Sequence, residues 1–415
     1  MTVHDELGRF VDAHHVAQVE FLRAIVRVPS DTPPGDNAPA AEKAVELLTA
    51  LGFDVERHPV PAAFLADYGM KSVTNLIVRH RFGAGGPTVA LNAHGDVVPP
   101  GEGWTRPPYE GVVDDARMYG RGVAVSKSDI ATYTYALCAL RALAAAGAKL
   151  AGTVELHFTY DEEFGGLAGP GFLLSHGLTR PDFAIAASFS YAVVTAHNGC
   201  LQFEVTLHGK SGHGAMPETG RDAFRAGTAV LNAVYAEADA LKTHHSNVSG
   251  IDHPTMIVGT LHGGINTNVV PDRLTLRIDR RMIPEEDPAE VEARVRTLIE
   301  AAVRPFDGIR VEIRRLLLAR ALTPRPGHER LVAALQRHGR RVFGVELPAV
   351  GVPLYADARL YGEAGVPIVM YGAGPRTIEE ANAKRADENL MLEDLRRATQ
   401  VVASAVHDLL AVKAT

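Results

Sequence analysis

Two short apolar runs that end in ionisable clusters constrain the fold more than any other feature of this chain. Thr88-Val-Ala-Leu-Asn92 closes on Ala-His-Gly-Asp at 93–96. Thr153-Val-Glu-Leu-His-Phe-Thr159 closes on Tyr-Asp-Glu-Glu at 160–163. A helical pattern from about Lys127 to Ala146 lies between them, and a helix and the short strand Phe183–Ala187 follow. This β-α-β alternation predicts an α/β fold with a mostly parallel sheet and helices on both faces. Ligands of such sheets bind beyond the carboxyl ends of the strands. His94, Asp96, Glu162 and Glu163 are therefore expected together on one rim.

The rest of the chain divides around this unit. Apolar residues at helical spacing (Leu7, Phe10, Val11, Phe21, Leu22, Ile25, Val26) predict a first helix, stopped near Pro29 and the Asp31–Gly35 turn. From about Leu201 the pattern becomes strand, helix, two strands, helix, strand: a small α+β domain with one open sheet face. After about Arg315 the α/β pattern resumes, with strand Pro367–Tyr371 and a last helix from Leu392. The expected organisation is a discontinuous catalytic domain (1–199 and 314–415) with an inserted domain (200–313).

Composition excludes several classes. At 415 residues, with 46% hydrophobic and 22% charged residues, the chain can bury large cores and reads as soluble globular protein. A net charge of −7 leaves no global basic footprint for nucleic acid. Two cysteines, Cys138 and Cys200, make neither a disulfide framework nor a four-cysteine zinc site. The polar, acidic N-terminus lacks the apolar core of a signal peptide, and Ile130–Ala148, interrupted by Arg141, reads as a buried helix and not a membrane span. A cytoplasmic enzyme acting on a small molecule is the expectation.

Several residues are candidates for chemistry. Adjacent acids at a strand end, Glu162 and Glu163, can divide the roles of base and ligand. His94 with Asp96 fits a metal-binding histidine and its orienting carboxylate. His213, in Lys-Ser-Gly-His at 210–213 of the inserted domain, is of a type that can donate to an oxyanion across a cleft.

Taken together, the segments LNAHGDVVPPGEGWTRPPYEG (91–111), MYGRGVAVSK (118–127), TYDEEFGG (159–166), GKSGHGAMPETGRDA (209–223), NTNVVPDRLTLRIDRRMIP (266–284), YADARL (355–360) and YGAGP (371–375) resemble the co-catalytic zinc aminoacylase and exopeptidase family. That family includes acetylornithine deacetylase, succinyl-diaminopimelate desuccinylase and carboxypeptidase G. The resemblance implies an aminopeptidase-like α/β sandwich with an inserted ferredoxin-like lid that forms a homodimer. It implies Glu162 as general base, Glu163 and His94 as zinc ligands, and Asp96 as the residue that orients His94. It also implies that His213 stabilises the oxyanion across the dimer, and that Asn268, Arg281 and Gly374 face the substrate.

The chain departs from the family at the metal ligands. Val125 stands at the bridging aspartate, Ser188 at a later acid, and Lys384 at the closing histidine, with Asn382 as an alternative for that last position. The expectation drawn from this is that no cofactor is used, although zinc is the family norm, and that a protonated Lys384 binds Glu163 in place of the dication. Asp129, His197 or Glu379 are the residues that would rebuild a metal site. Three functions compete: hydrolysis of an amide or N-acyl bond of a small, carboxylate-bearing substrate; a metal-free isomerase, lyase or acyl transferase using Glu162 and Lys384; and a non-catalytic binding protein.

Overall fold

The computed structural model describes residues 2–66 and 68–412. Two compact units divide the chain: 1–195 with 324–350 and 356–415, and 196–323 with 351–355.

An eight-stranded sheet runs in the order Val55–Pro59, Thr74–Gly83, Gly152–Thr159, Thr88–His94, Phe183–Ala186, Ile368–Met370, Val193–His197, Ala349–Val352. Its four central strands are parallel. Their side chains are buried almost without alternation, as Leu91, Leu156, Ile185 and Val369 illustrate, which is what cover on both faces requires. The flanks correct the expectation of a mostly parallel sheet. Val55–Pro59 pairs antiparallel with Thr74–Gly83, and that strand pairs antiparallel with Gly152–Thr159. The connection between the first two holds only the short helix Ala62–Ala66, too little for the crossover that a parallel pair needs.

Three long helices, Val3–Val26, Lys127–Ala145 and Leu392–Leu410, pack on one another. The first begins with a capping box. Thr2 Oγ1 accepts from Asp5 N at 3.2 Å and Asp5 Oδ2 accepts from Thr2 N at 2.8 Å, so two otherwise orphaned N–H groups are satisfied. Its apolar stripe, Leu7, Val11, Leu22, Ile25 and Val26, is buried. The stripe of the last helix is Leu395, Ala398, Val402, Ala405 and Leu409. Gln18 Nε2 donates to Thr399 Oγ1 at 2.7 Å across the two. None of the described helices is long and apolar enough to cross a membrane.

The second unit is a four-stranded antiparallel sheet in the order Thr255–Gly263, Arg273–Met282, Gly199–His208, Arg310–Ala319. Leu201, Phe203, Val205 and Leu207 alternate into a core with the helices Ala223–Leu241 and Pro288–Val303. Asp222 and Asp287 cap these helices through their carboxylates. The opposite face is charged: Glu204 accepts from Arg277 and from Arg314 on the two neighbouring strands. The unit extends beyond the 200–313 of the sequence reading. Its last strand continues to Ala319, and Gly351 N donates to Ser249 O at 2.7 Å, which draws 351–355 into it.

Candidate active site

Parallel pairing builds the site. His94 stands opposite Thr159, each at the end of its strand, and Gly95 N donates to Thr159 O at 2.8 Å. A Cβ at Gly95 would lie 2.3 Å from the Tyr160 ring, so glycine alone allows this closeness. Asp96 follows and is fully buried. Its Oδ1 accepts from Glu162 N at 3.2 Å and its Oδ2 from Glu163 N at 3.0 Å. These are the first amides of a short 3-10 turn, Glu162–Phe164, whose N–H groups need an acceptor. His94 Nδ1 lies 3.0 Å from the Asp96 carbonyl and 3.3 Å from Asp96 Oδ1, and His94 N donates to Ser126 Oγ at 3.1 Å. The ring is held by that edge, and Nε2 lies 3.9 Å from Glu162 Oε2.

The site is rich in buried acids. Burial opposes a charge on His94, but Glu162, Asp96 and Glu163 outweigh it and push the ring up to about 10. Burial, with Asp96 and Glu162 nearby, pushes Asp161 up to about 8, although Ala168 N donates to it at 2.6 Å. Burial beside Asp161 and Glu162 also holds Asp357 well above the carboxylate range. Burial raises Glu163, and Lys384 pulls it back. Lys384 Nζ lies 2.6 Å from Glu163 Oε2. Its side chain is 49% exposed and Glu163's only 8%, so the ammonium approaches from solvent.

A buried ion pair ties the two loops that carry Val125 and Lys384. Arg121 Nη1 lies 2.6 Å from Glu388 Oε2, with both side chains almost wholly buried. Glu388 Oε1 accepts from Ala124 N at 3.0 Å, and Arg121 Nη2 donates to Pro100 O at 2.9 Å. Losing one partner of such a pair costs about 3–5 kcal/mol, because the other charge stays buried alone.

The remaining candidates are placed as follows. Asp129 turns its carboxylate to the backbone, accepting from Ala373 N at 2.6 Å, and burial pushes it up to about 8. A Cβ at Gly372 would lie 2.1 Å from that carboxylate. Gly374 uses both backbone groups on one loop: its N donates to Ser188 O at 2.9 Å, and its O accepts from Ser190 Oγ at 2.9 Å. Glu379 is exposed in a turn. His197 belongs to the other unit, with Nδ1 2.9 Å from Asn198 O.

Within that second unit, Gly212–His213 pairs with Val269–Val270, and Gly214 N donates to Asn268 O at 2.8 Å. This brings His213 and Asn268 together. Ala215 N donates to His213 Nδ1 at 3.1 Å, which leaves Nε2 as the outward nitrogen of this exposed ring. Arg281 Nε donates to Asp279 Oδ1 at 2.7 Å, and its guanidinium lies over the Tyr355 ring.

Sequence reasoning overlooked Asp161 and Asp357. Both stand inside motifs quoted for other residues, Tyr-Asp-Glu-Glu and YADARL, and only the fold reveals the contact. A Cβ at Gly166 would lie 2.0 Å from Asp357 Oδ1, so the Gly165-Gly166 pair was the available signal.

With this geometry in view, comparison with known proteins is decisive about class. Residues 90–408 match the family described as Peptidase family M20/M25/M40, and the chain belongs to it. It is an enzyme of the amidohydrolase kind. It is 30% identical over 376 residues to acetylornithine deacetylase of Myxococcus xanthus, covering 89% of this chain and 92% of that protein. It is 29% identical over 400 residues to succinyl-diaminopimelate desuccinylase of Methylorubrum populi, covering 92% and 95%. Human carnosine dipeptidase 1 shares the fold with a TM-score of 0.77 at 17% identity, covering 99% of each chain. So do an M20 family metallo-carboxypeptidase of Sulfolobus solfataricus (0.74, 18%, covering 94% and 98%) and a Bacillus subtilis protein described as a dinuclear metal binding peptidase (0.64, 17%, covering 96% and 99%).

These findings correct one expectation. The expectation of a cofactor-free protein, drawn from Val125, Ser188 and Lys384, is overturned: the family is one of metallopeptidases, and two solved members carry metal in their descriptions. Replacement of individual ligands does not by itself remove metal from a scaffold that still carries His94, Glu162 and Glu163.

The double acceptance by Asp96 generates a prediction. Asp96→Asn points an NH2 group at Glu162 N or Glu163 N and leaves buried donors facing each other, a cost of about 1–3 kcal/mol. The denaturant midpoint of the full chain should fall accordingly. An unchanged midpoint would show that these bonds do not hold the turn.

Proposed function

We propose that this chain hydrolyses the amide bond of a small N-acyl amino acid, with Glu162 as the base that takes a proton from the attacking water. The observation that carries the reading is the side chain of Glu162, 12% exposed, with its carboxylate 3.9 Å from His94 Nε2, on a turn that Asp96 fixes. Relatives named as a deacetylase and a desuccinylase of amino-acid substrates support the substrate class. We assign His213 to the oxyanion, because Nδ1 already accepts from Ala215 N and Nε2 is left to donate. Arg281 is assigned to the substrate carboxylate, where a guanidinium gives a charge-assisted, bidentate pair. Asn268, adjacent to His213, and Gly374 complete the substrate contacts.

For the metal, we propose a ligand set thinner than the family's. His94 and Glu163 remain to hold an ion, whereas Val125 and Ser188 offer no carboxylate and Lys384 no imidazole. A catalytic zinc site ordinarily has three protein ligands, and the Lys384 ammonium competes with the ion for Glu163. A divalent ion bound there would supply carbonyl polarisation and a more acidic water. Lys384 is half exposed, so an ion that displaces it from Glu163 leaves the ammonium a path to solvent. Its backbone has φ of 61°, a region that histidine occupies more readily than most residues, so Lys384→His suits the backbone.

We also propose a homodimer through the second unit. Among the described residues no strand pairs with the outer side of its edge strand Thr255–Gly263, which exposes Ile257 and Leu261 beside the exposed Phe224 and Tyr235 of the helix Ala223–Leu241. An unprotected apolar edge is a template for another strand, and a second copy presents the same surface.

Three outcomes test these readings. A panel of N-acetyl and N-succinyl amino acids, assayed with zinc present, should be hydrolysed. Glu162→Gln should lower kcat by about 10²–10⁴-fold, and Arg281→Ala should raise KM for free acids far more than for their amides. No turnover of any member, or equal effects on acids and amides, would count against the assignment. For the metal, Val125→Asp with Lys384→His should tighten zinc binding by at least about 10–100-fold, since outer partners alone are worth that much. Two zinc ions per chain retained through chelation, both lost on His94→Ala with Glu163→Ala, would refute the thinner set. For the dimer, light scattering should give twice the chain mass, and Ile257→Lys with Leu261→Lys should halve it. A monomeric unaltered chain at micromolar concentration would dismiss the interface.

A further inference from the structure

At the far end of the three-helix layer, three histidines gather around one carboxylate. His4 lies in the first turn of Val3–Val26, His338 in His328–Phe343, and His407 and Asp408 near the end of Leu392–Leu410. The rings of His4 and His338 are 4.3 Å apart between centroids, and those of His4 and His407 are 5.3 Å apart. The two oxygens of Asp408 are treated differently. Oδ2 makes the short contacts, with His338 Nε2 at 2.8 Å and Arg337 Nη1 at 2.6 Å. Oδ1 faces His4 Nε2 at 3.5 Å and His407 Nδ1 at 3.4 Å.

We propose that His4, His407 and Asp408 form a transition-metal site, with zinc as its natural class of ion, that fastens the start of the first helix to the end of the last.

The distances carry the argument. Charge-assisted N–H···O bonds run about 2.7–2.9 Å, and the two Oδ1 contacts are well outside that range. With metal–ligand bonds of about 2.0–2.1 Å, two ligands on a tetrahedron lie about 3.3–3.4 Å apart. The His407 contact, 3.4 Å, matches that edge, and the His4 contact, 3.5 Å, exceeds it by about 0.1 Å. The three donor atoms lie within 4.8 Å of one another, and among the described residues no other set of three His, Cys, Asp or Glu meets this condition.

The surroundings fit the same reading. A ligating carboxylate is commonly oriented by a hydrogen bond to its other oxygen, which His338, only 2% exposed, provides here. His4 Nδ1 is buried with no hydrogen-bond partner among the described residues, so Nε2 is the nitrogen that this ring turns toward a partner. The side chains of His4, Asp408 and His407 are 25%, 18% and 13% exposed. An ion therefore has a route in from solvent, and a water can take the fourth corner. Two imidazoles and one carboxylate suit zinc, nickel or copper, not magnesium. None of these residues belongs to the candidate active site, and the inference does not depend on the reaction proposed there.

The experiment uses the full chain stripped by a chelator, with His4→Gln and His407→Gln prepared separately. The unaltered protein should bind one more zinc per chain than either variant. At saturating zinc its melting temperature should rise by on the order of 3 °C more than that of either variant, and magnesium should not produce this difference. Hydrolytic activity in zinc, used as the check that each variant is folded, should be unchanged. Equal zinc stoichiometry and equal thermal shifts in all three proteins would overturn the site, as would the same shift produced by magnesium. Failure of the hydrolytic assay in the unaltered protein would bear on the proposed reaction and leave the stoichiometry as the deciding readout.

Discussion

The carboxylate of Asp96 is the constraint on which the candidate active site depends. One buried side chain accepts both amides of the Glu162-Glu163 turn and also lies against the His94 ring. Neither acid is therefore positioned by its own side chain's preferences. The end of one parallel strand dictates the conformation of the turn at the end of its neighbour. Low dielectric makes this arrangement demanding, because every acceptor must be matched. It also explains why so many acids tolerate one another here. Asp96 is neutralised by amides and imidazole, Glu163 by Lys384, and Asp161 and Asp357 are driven toward the protonated form.

Much of this was legible in the linear chain, for identifiable reasons. The central parallel strands and the long helices announce themselves through periodicity, and the ionisable clusters fall at strand ends, where open sheets bind ligands. The contact between Lys384 and Glu163 follows from charge, given the resemblance that brings their segments together. What was illegible involved single residues whose meaning lies in a distant partner. Asp357 is one acid among many until Gly165-Gly166 folds beneath it. Arg121 and Glu388 form a buried pair that no spacing rule relates. The antiparallel flank depends on how little chain separates two strands, and the extent of the second unit depends on a strand that overruns its apolar pattern.

Family membership and ligand substitution pull in different directions, and both are informative. The scaffold, the order of its motifs and its acids are those of metallopeptidases. Beside those acids, Lys384 sets a half-exposed ammonium against the buried Glu163 carboxylate, and Val125 and Ser188 carry no charge. The field at Glu163 therefore depends on a cation that solvent can reach.

The Arg121–Glu388 pair has a consequence for how the molecule is made. Its partners are separated by 267 positions, with the whole second unit threaded between them. A ribosome delivers Arg121 long before Glu388 exists. Through most of synthesis a guanidinium destined for the interior has no counter-charge, and the loop carrying Val125 lacks its anchor. The parallel strands and the inserted unit can close by then, since their contacts are complete. A product that stops short of Glu388 keeps a buried guanidinium without its counter-charge and the loop carrying Val125 without its anchor.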